Sequence, residues 1–240
     1  MGRPEVKKQM GNLPAADFAG QPGATRLFSI GHSNHEPTRL WWLLQRAGVT
    51  AVADVRSSPF SQRYPQFNQA ELEWGLRAHG IAYFSCGASL GGRPQQPSLY
   101  DADGRVDYER LRATPFFRCG LEELIRRLDQ FTVAMLCAEE DPLDCHRGLM
   151  ITPALVERGL APVHLRGDGT VETTAALEER LLAATGVGAG LLDGLFAAMV
   201  SAEERAGLLA EAYRKMARRK AFRLRPEEDA ESPEGYEDGR

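Results

Sequence analysis

The chain predicts an α/β fold: a mostly parallel five-stranded sheet with helices on both faces, followed by a C-terminal helical extension. Three observations lead there. Short apolar runs alternate with segments of helical period, the pattern of βα units. The runs are apolar throughout rather than at every second residue, which suits strands buried on both faces. The polar, glycine-rich stretches follow the runs, as they do where ligands meet the carboxyl ends of parallel strands.

Each element has a local reason. Residues 27–30 (Leu-Phe-Ser-Ile) form a first strand. Pro37 to Ala47 reads as a helix, with proline in its first turn and Gly48 just past its end. Residues 49–55 are a second strand. Asn68 and Glu71 have the spacing of a capping box, opening a helix to Gly80. Residues 81–84 are a third strand. Thr114-Pro115 starts a helix to about Gln130, and 131–137 is the fourth strand. Cys145 to Arg158 reads as the next helix, kinked at Pro153. Residues 163–165 are a fifth strand. After the Gly167-Asp168-Gly169 turn the chain reads as helical: 175–184, 190–200, and a long helix to about Arg223 opened by a Ser201/Glu204 capping box. The expected organisation is a disordered leader (1–24), an α/β core (25–173), the helical extension (174–225) and an acidic disordered tail (226–240).

Bulk properties exclude several classes. At 240 residues and 43% hydrophobic, the chain can bury a substantial core, and its net charge of −4 gives no general pull toward nucleic acid or anionic membranes. No apolar run approaches the roughly 18 residues of a membrane span. The first residues lack the apolar stretch of a signal peptide. A cytoplasmic location is therefore the expectation, with the four cysteines as thiols or ligands rather than disulfides.

Chemistry-bearing residues cluster after the strands. His32-Ser33-Asn34-His35 follows the first, Asp54 to Ser61 the second, Ser89 to Pro94 the third, and Cys137 to Arg147 the fourth. In a parallel sheet these four loops converge on one edge. Glu139, directly after a strand, is the candidate general acid/base, helped by His32. Cys145, read at a helix start beside His146 and Arg147, is the candidate nucleophile. Arg56, Arg93 and Arg147 read as an anion clamp, with Ser33, Asp54, Ser61, Gly91, Gly92 and His146 as further substrate contacts. Blander roles compete. Asp54 and Arg56 can simply pair. His32 and His35 can serve as turn residues, and Gly91-Gly92 as a tight turn. Asp141 and Asp144 can cap the Cys145 helix. Cys137 fits a core cysteine, and Cys86 and Cys119 fit packing.

Taken together, Ser29-Ile30-Gly31-His32-Ser33, Asp54-Val55-Arg56 with Pro59 and Ser61, Leu90-Gly91-Gly92, and Cys137-x-Glu139 followed by Cys145-His146-Arg147 resemble the motifs of the family catalogued as domain of unknown function 488. The resemblance spans about Arg26 to Leu165. It implies a compact cytoplasmic α/β domain without an assigned activity, and it groups these residues into one site.

The leading functional expectation is an enzyme acting on an anionic, phosphate-bearing or nucleotide-like small molecule. A cysteine phosphatase or sulfurtransferase pattern fits poorly, because Cys137 is followed by acids and Pro142 rather than a glycine-rich anion loop. A non-catalytic ligand- or partner-binding module is one alternative. A zinc site built on Cys137, Cys145 and His146, with His32 or His35, is another, although adjacent Cys145 and His146 seldom hold one tetrahedral ion. The pattern itself requires no cofactor. The cationic run Arg214–Lys220 reads as a solvated helix end that suits the helix dipole, or as a surface for nucleic acid or protein.

Overall fold

The computed structural model describes residues 26–191 and 200–224. The expected leader and acidic tail lie outside the described residues, as does most of the expected 190–200 helix.

The expected α/β architecture is present. Strands β1 (Leu27–Gly31), β2 (Ala51–Asp54), β3 (Ala82–Ser85), β4 (Val133–Cys137), β5 (Val163–Leu165) and β6 (Val171–Thr173) form one sheet in the order β3-β2-β4-β1-β5-β6. The first five are parallel. The sixth, an antiparallel partner of β5, corrects the expected count of five. It is a three-residue edge strand paired through the Asp168–Thr170 turn, too short to show a period in sequence.

The strands divide their side chains between two cores, as a sheet covered on both faces must. Phe28, Ile30, Val52, Ala134 and Leu136 pack with α1 (Pro37–Arg46) and α2 (Gln69–Ala78). Leu27, Ala51, Ala53, Val133 and Met135 face the other side. There α3 (Gly87–Leu90), α4 (Tyr108–Ala113), α5 (Pro115–Arg127), α6 (Thr152–Val156), α7 (Thr174–Thr185) and α8 (Ala202–Lys220) contribute the same continuous cluster. Leu177 and Leu181 of α7 and Ala212 and Met216 of α8 are buried in it. The Ser201/Glu204 capping box opens α8 as read from sequence. No helix among the described residues is long and apolar enough to cross a membrane.

Two local readings change. Asn68 does not cap α2 with its side chain. Its Oδ1 accepts the Ser61 backbone N–H at 2.7 Å instead, tying the β2 loop to the helix start. The expected helix from Cys145 begins later. Cys145 is extended (φ −135°, ψ 144°), and Arg147–Ile151 is a π-helical turn leading into α6. Pro153 explains the widening: its ring would crowd a carbonyl in the preceding turn of a regular helix. The Thr152 hydroxyl donates to the Arg147 carbonyl at 2.8 Å within that turn.

The chain leaves adjacent β1 and β4 in opposite directions across the sheet, toward β2 and β5 respectively. Their carboxyl ends therefore flank the crevice where open α/β sheets bind ligands.

One buried group should mark the fold's acid sensitivity. His164 lies inside β5 with its Nδ1 2.7 Å from the Ser29 hydroxyl. Burial, then the charges of Arg147, Arg166 and Arg180, lower its pKa to about 3, with Asp141 opposing. The unfolded chain binds this proton near pH 6.5 and the folded chain does not. The stability it confers is thus complete above pH 6.5 and lost as pH falls toward 3. We expect the wild type to lose up to about 1.4 kcal/mol per pH unit more than His164→Gln between pH 6 and 4. Urea titrations at a series of pH values measure this; parallel pH profiles would refute it.

Candidate functional site

The carboxyl edge of the sheet opens into a cavity of about 530 Å³. Cys137, Glu139 and His146 contribute to its lining, with His32 and Arg56 beside them and Arg93, Phe60, Tyr64, Lys220 and Phe222 also present.

Close backbone approach builds this place. A Cβ at Gly31 would lie 1.8 Å from the Glu139 carbonyl oxygen, so only glycine lets β1 end against the β4 loop. The His32 and Ser33 N–H groups then donate to the Cys137 and Ala138 carbonyls at 2.9 and 2.8 Å. A Cβ at Gly92 would lie 2.8 Å from the His146 side chain. Gly91 and Gly92 are thus required for contact with Ser57 and His146 rather than for a positive φ.

Arg56 and Arg147 line up at the expected edge, but their guanidinium groups are already engaged. Arg56 Nε and Nη2 hold Asp54 in a two-pronged ion pair at 2.8 and 2.6 Å. Its Nη1 donates to the Phe67 carbonyl at 2.8 Å and reaches His32 Nε2 at 3.2 Å. Asp54 also accepts the Tyr83 hydroxyl at 3.0 Å. Arg147 is 1% exposed and does not line the cavity. It donates to the Glu139 and Glu140 carbonyls, both at 2.6 Å. These two arginines, read as part of an anion clamp, thus spend their hydrogen bonds within the protein in this structure, and Asp54 joins them. Arg93 remains: it is exposed, its guanidinium sits 4.5 Å above the Phe222 ring, and it has no carboxylate partner among the described residues.

His32 is not placed as a mobile base. Its Nδ1 donates to the Ser33 carbonyl at 2.9 Å, and Nε2 faces Arg56. Burial chiefly lowers its pKa to about 4, so the ring is neutral. Ser33 lies outside the cavity lining and bonds the β4 loop through its backbone; Ser61 is in the lining. His35 sits by Gly167, away from the sulfurs.

The sulfurs, by contrast, converge. His146 Nε2 donates to the Val55 carbonyl at 2.9 Å, turning Nδ1 toward Cys137 Sγ at 3.7 Å and Cys145 Sγ at 3.8 Å. Cys137 Sγ donates to Glu139 Oε2 at 3.1 Å. Adjacent Cys145 and His146 point to one place because the backbone switches from extended to helical between them. Burial opposes ionisation of Cys145, but the Cys137 hydrogen bond, Arg147 and His146 outweigh it and favour the thiolate. The Arg147 N–H also reaches this sulfur at 3.4 Å. Cys137 is the neighbouring thiol, held protonated by the adjacent Cys145 sulfur and by burial. Burial lowers the His146 pKa, but the Cys145 charge more than offsets this and raises it. Glu139 is exposed as a residue, yet crowding around its carboxyl and the Cys145 charge raise its pKa. Cys145 itself is 2% exposed and lies outside the cavity lining.

Asp141 and Asp144 serve other ends. Asp141 accepts the Leu143 N–H at 2.8 Å and pairs with Arg180 at 2.7 Å. Burial opposes its charge, but Arg180 and that N–H hold its pKa at about 2. Asp144 pairs with Lys220 at 2.7 Å. The cationic run is thereby partly consumed: Arg214 pairs with Glu109, and Arg219 donates to the Ala184 carbonyl.

The family model for Domain of unknown function DUF488 matches residues 37–152. Over that segment the chain is similar to the DUF488 family. No match was found among curated proteins or solved structures. The DUF488 segment carries Arg56, Arg93, Cys137, Glu139, Cys145, His146 and Arg147. His32 precedes it, and Lys220 and Phe222 of the cavity rim follow it. The Val106 N–H donates to the Phe222 carbonyl at 3.0 Å, fixing that rim.

Sequence reasoning missed Tyr64, Tyr108 and Phe222, and read Lys220 only within the cationic run rather than at the cavity. The one available signal was Asp107, which caps α4 by accepting the Glu109 and Arg110 N–H groups at 3.0 Å.

Arg147→Ala removes two charge-assisted hydrogen bonds and leaves a buried void. The expected loss is about 3 kcal/mol or more, at about 1.5–3 kcal/mol per such bond. Urea denaturation measures it. A variant within about 0.5 kcal/mol of wild type would show that Arg147 is not the scaffold.

Proposed function

We propose that the chain is an enzyme acting on an anionic, ring-bearing small molecule of nucleotide type, bound in this cavity. The observation that carries the reading is the Arg93 guanidinium. It stands exposed at the cavity, backed by the Phe222 ring and free of any described carboxylate, in a lining that also holds Cys137, Glu139 and His146. A phosphate or carboxylate can accept two parallel N–H bonds from such a group. Lys220 adds a second cation, partly satisfied by Asp144. Phe60, 67% exposed, together with Tyr64 and Phe222, offers flat apolar surface for a base or other ring. The hydroxyls of Ser57, Ser58 and Ser61 are suited to sugar or phosphate oxygens.

Glu139 is the proton-transfer group in this reading, because its carboxyl lies in the cavity lining between the sulfurs and the open space. Cys145 is not assigned as nucleophile, since it is 2% exposed and does not line the cavity.

Thermal-shift screening with nucleotides and sugar phosphates tests the proposal, since a ligand that binds only the native state raises its apparent stability. Wild type should respond to at least one such anion. Arg93→Ala should keep its unliganded stability within about 0.5 kcal/mol and lose most of the response. The expected affinity loss is about 10- to 100-fold, from a bond of about 1.5–3 kcal/mol. An undiminished response in Arg93→Ala would overturn the placement of the anion. Glu139→Gln should still bind the same compound and fail to turn it over.

A further inference from the structure

We infer that Cys137, Cys145 and His146 form a zinc site, with a fourth position directed into the cavity beside Glu139. The inference rests on ligand geometry and stands apart from the anionic-substrate reading.

The three ligand atoms, two sulfurs and one ring nitrogen, all lie within 4.8 Å of one another. Tetrahedral bonds of about 2.3 Å to sulfur and about 2.1 Å to nitrogen place sulfur and nitrogen about 3.6 Å apart. The observed separations from His146 Nδ1 are 3.7 and 3.8 Å. Little movement is needed to seat the ion.

The surroundings match those of a metal-bound imidazole and thiolate. A ligating histidine donates its other ring N–H to a fixed acceptor, which sets tautomer and orientation. His146 does so to the Val55 carbonyl at 2.9 Å, at the end of β2. Cys145 Sγ accepts the Arg147 N–H at 3.4 Å. Gly92 clears the space against which the His146 ring rests. Two thiolates and an imidazole select zinc over magnesium or calcium, which prefer oxygen.

Among the described residues no fourth sulfur or imidazole joins this group. Cys137 and His146 line the cavity, and Glu139 Oε2 lies 3.1 Å from Cys137 Sγ. Three protein ligands with one open position is the arrangement of catalytic rather than structural zinc. A bound ion would supply a Lewis acid and a water of lowered pKa at that position. Glu139 would then hold or move that water's proton. His32 and His35 take no part: His32 is engaged by Arg56 and the Ser33 carbonyl, and His35 lies by Gly167.

The test uses the full chain, first freed of metal by a chelator and then titrated with zinc or cobalt(II). The expected result is one equivalent bound, and for cobalt a thiolate-to-metal charge-transfer band with intense tetrahedral d–d bands. Cys137→Ser and His146→Ala should each lose these bands. In case a variant fails to fold, the unmutated chain gives a second readout. Zinc should slow alkylation of Cys137 and Cys145 at least tenfold and leave exposed Cys119 unchanged. Arg93→Ala should bind zinc as the wild type does. Cobalt spectra without a thiolate band, or alkylation indifferent to zinc, would overturn the metal site. An anion-induced thermal shift in that same protein would leave the substrate reading standing. A loaded chain that no nucleotide or sugar phosphate stabilises would sink the substrate reading alone.

Discussion

The site depends on one buried cation. Arg147 has almost no exposure and no carboxylate partner among the described residues, yet its guanidinium grips two successive carbonyls, Glu139 and Glu140. The Glu139 carbonyl is held from the other side by Gly31, where even a methyl group would collide with it. This pinch fixes the loop after β4, and with it the distance from Cys137 to Glu139. It also sets the π-helical turn carrying Arg147 against the same loop, which brings Cys145 and His146 over Cys137. A buried guanidinium is costly unless its donors are satisfied and its charge is answered. Here the two carbonyls satisfy Nη1 and Nη2, Nε has no partner among the described residues, and the Cys145 sulfur accepts the Arg147 backbone N–H at 3.4 Å.

Much of the fold was legible because burial on both faces writes itself into β1, β2 and β4 as continuous apolar runs. Proline and capping signals placed α1, α5 and α8 within a few residues. What escaped was short or set by contacts from afar. β6 has three residues at a sheet edge. The late helix start after Cys145 comes from Pro153, eight residues onward, acting through a widened turn. Asn68 has the spacing of a cap but spends its oxygen on Ser61, because the β2 loop passes close by.

The site was legible as a grouping and not as a set of roles. Parallel strands put His32, Arg56, Glu139 and His146 on one edge, as the loop positions implied. Which arginine is free could not be read from sequence, since it depends on where carbonyls fall. Arg56 and Arg147 find the carbonyls of Phe67, Glu139 and Glu140, whereas the Arg93 guanidinium lies over an aromatic ring and has no carboxylate partner among the described residues. The same holds for Cys145 and His146. Neighbours in a regular strand diverge, and only the switch from extended to helical backbone between them turns both toward Cys137. Residues from the end of α8, outside the DUF488 match, complete the cavity wall. The C-terminal helices therefore belong to the site's architecture as well as to the core.

The convergence of two sulfurs and one imidazole nitrogen at the end of β4 is the point at which fold and chemistry meet. X-ray absorption at the zinc edge, on the full chain carrying one equivalent of zinc, measures it most directly. The expected first shell holds two sulfurs at about 2.3 Å and one imidazole nitrogen at about 2.1 Å, with the fourth ligand oxygen at about 2.0–2.2 Å. A shell of nitrogen and oxygen alone would contradict the convergence of Cys137, Cys145 and His146 on one ion.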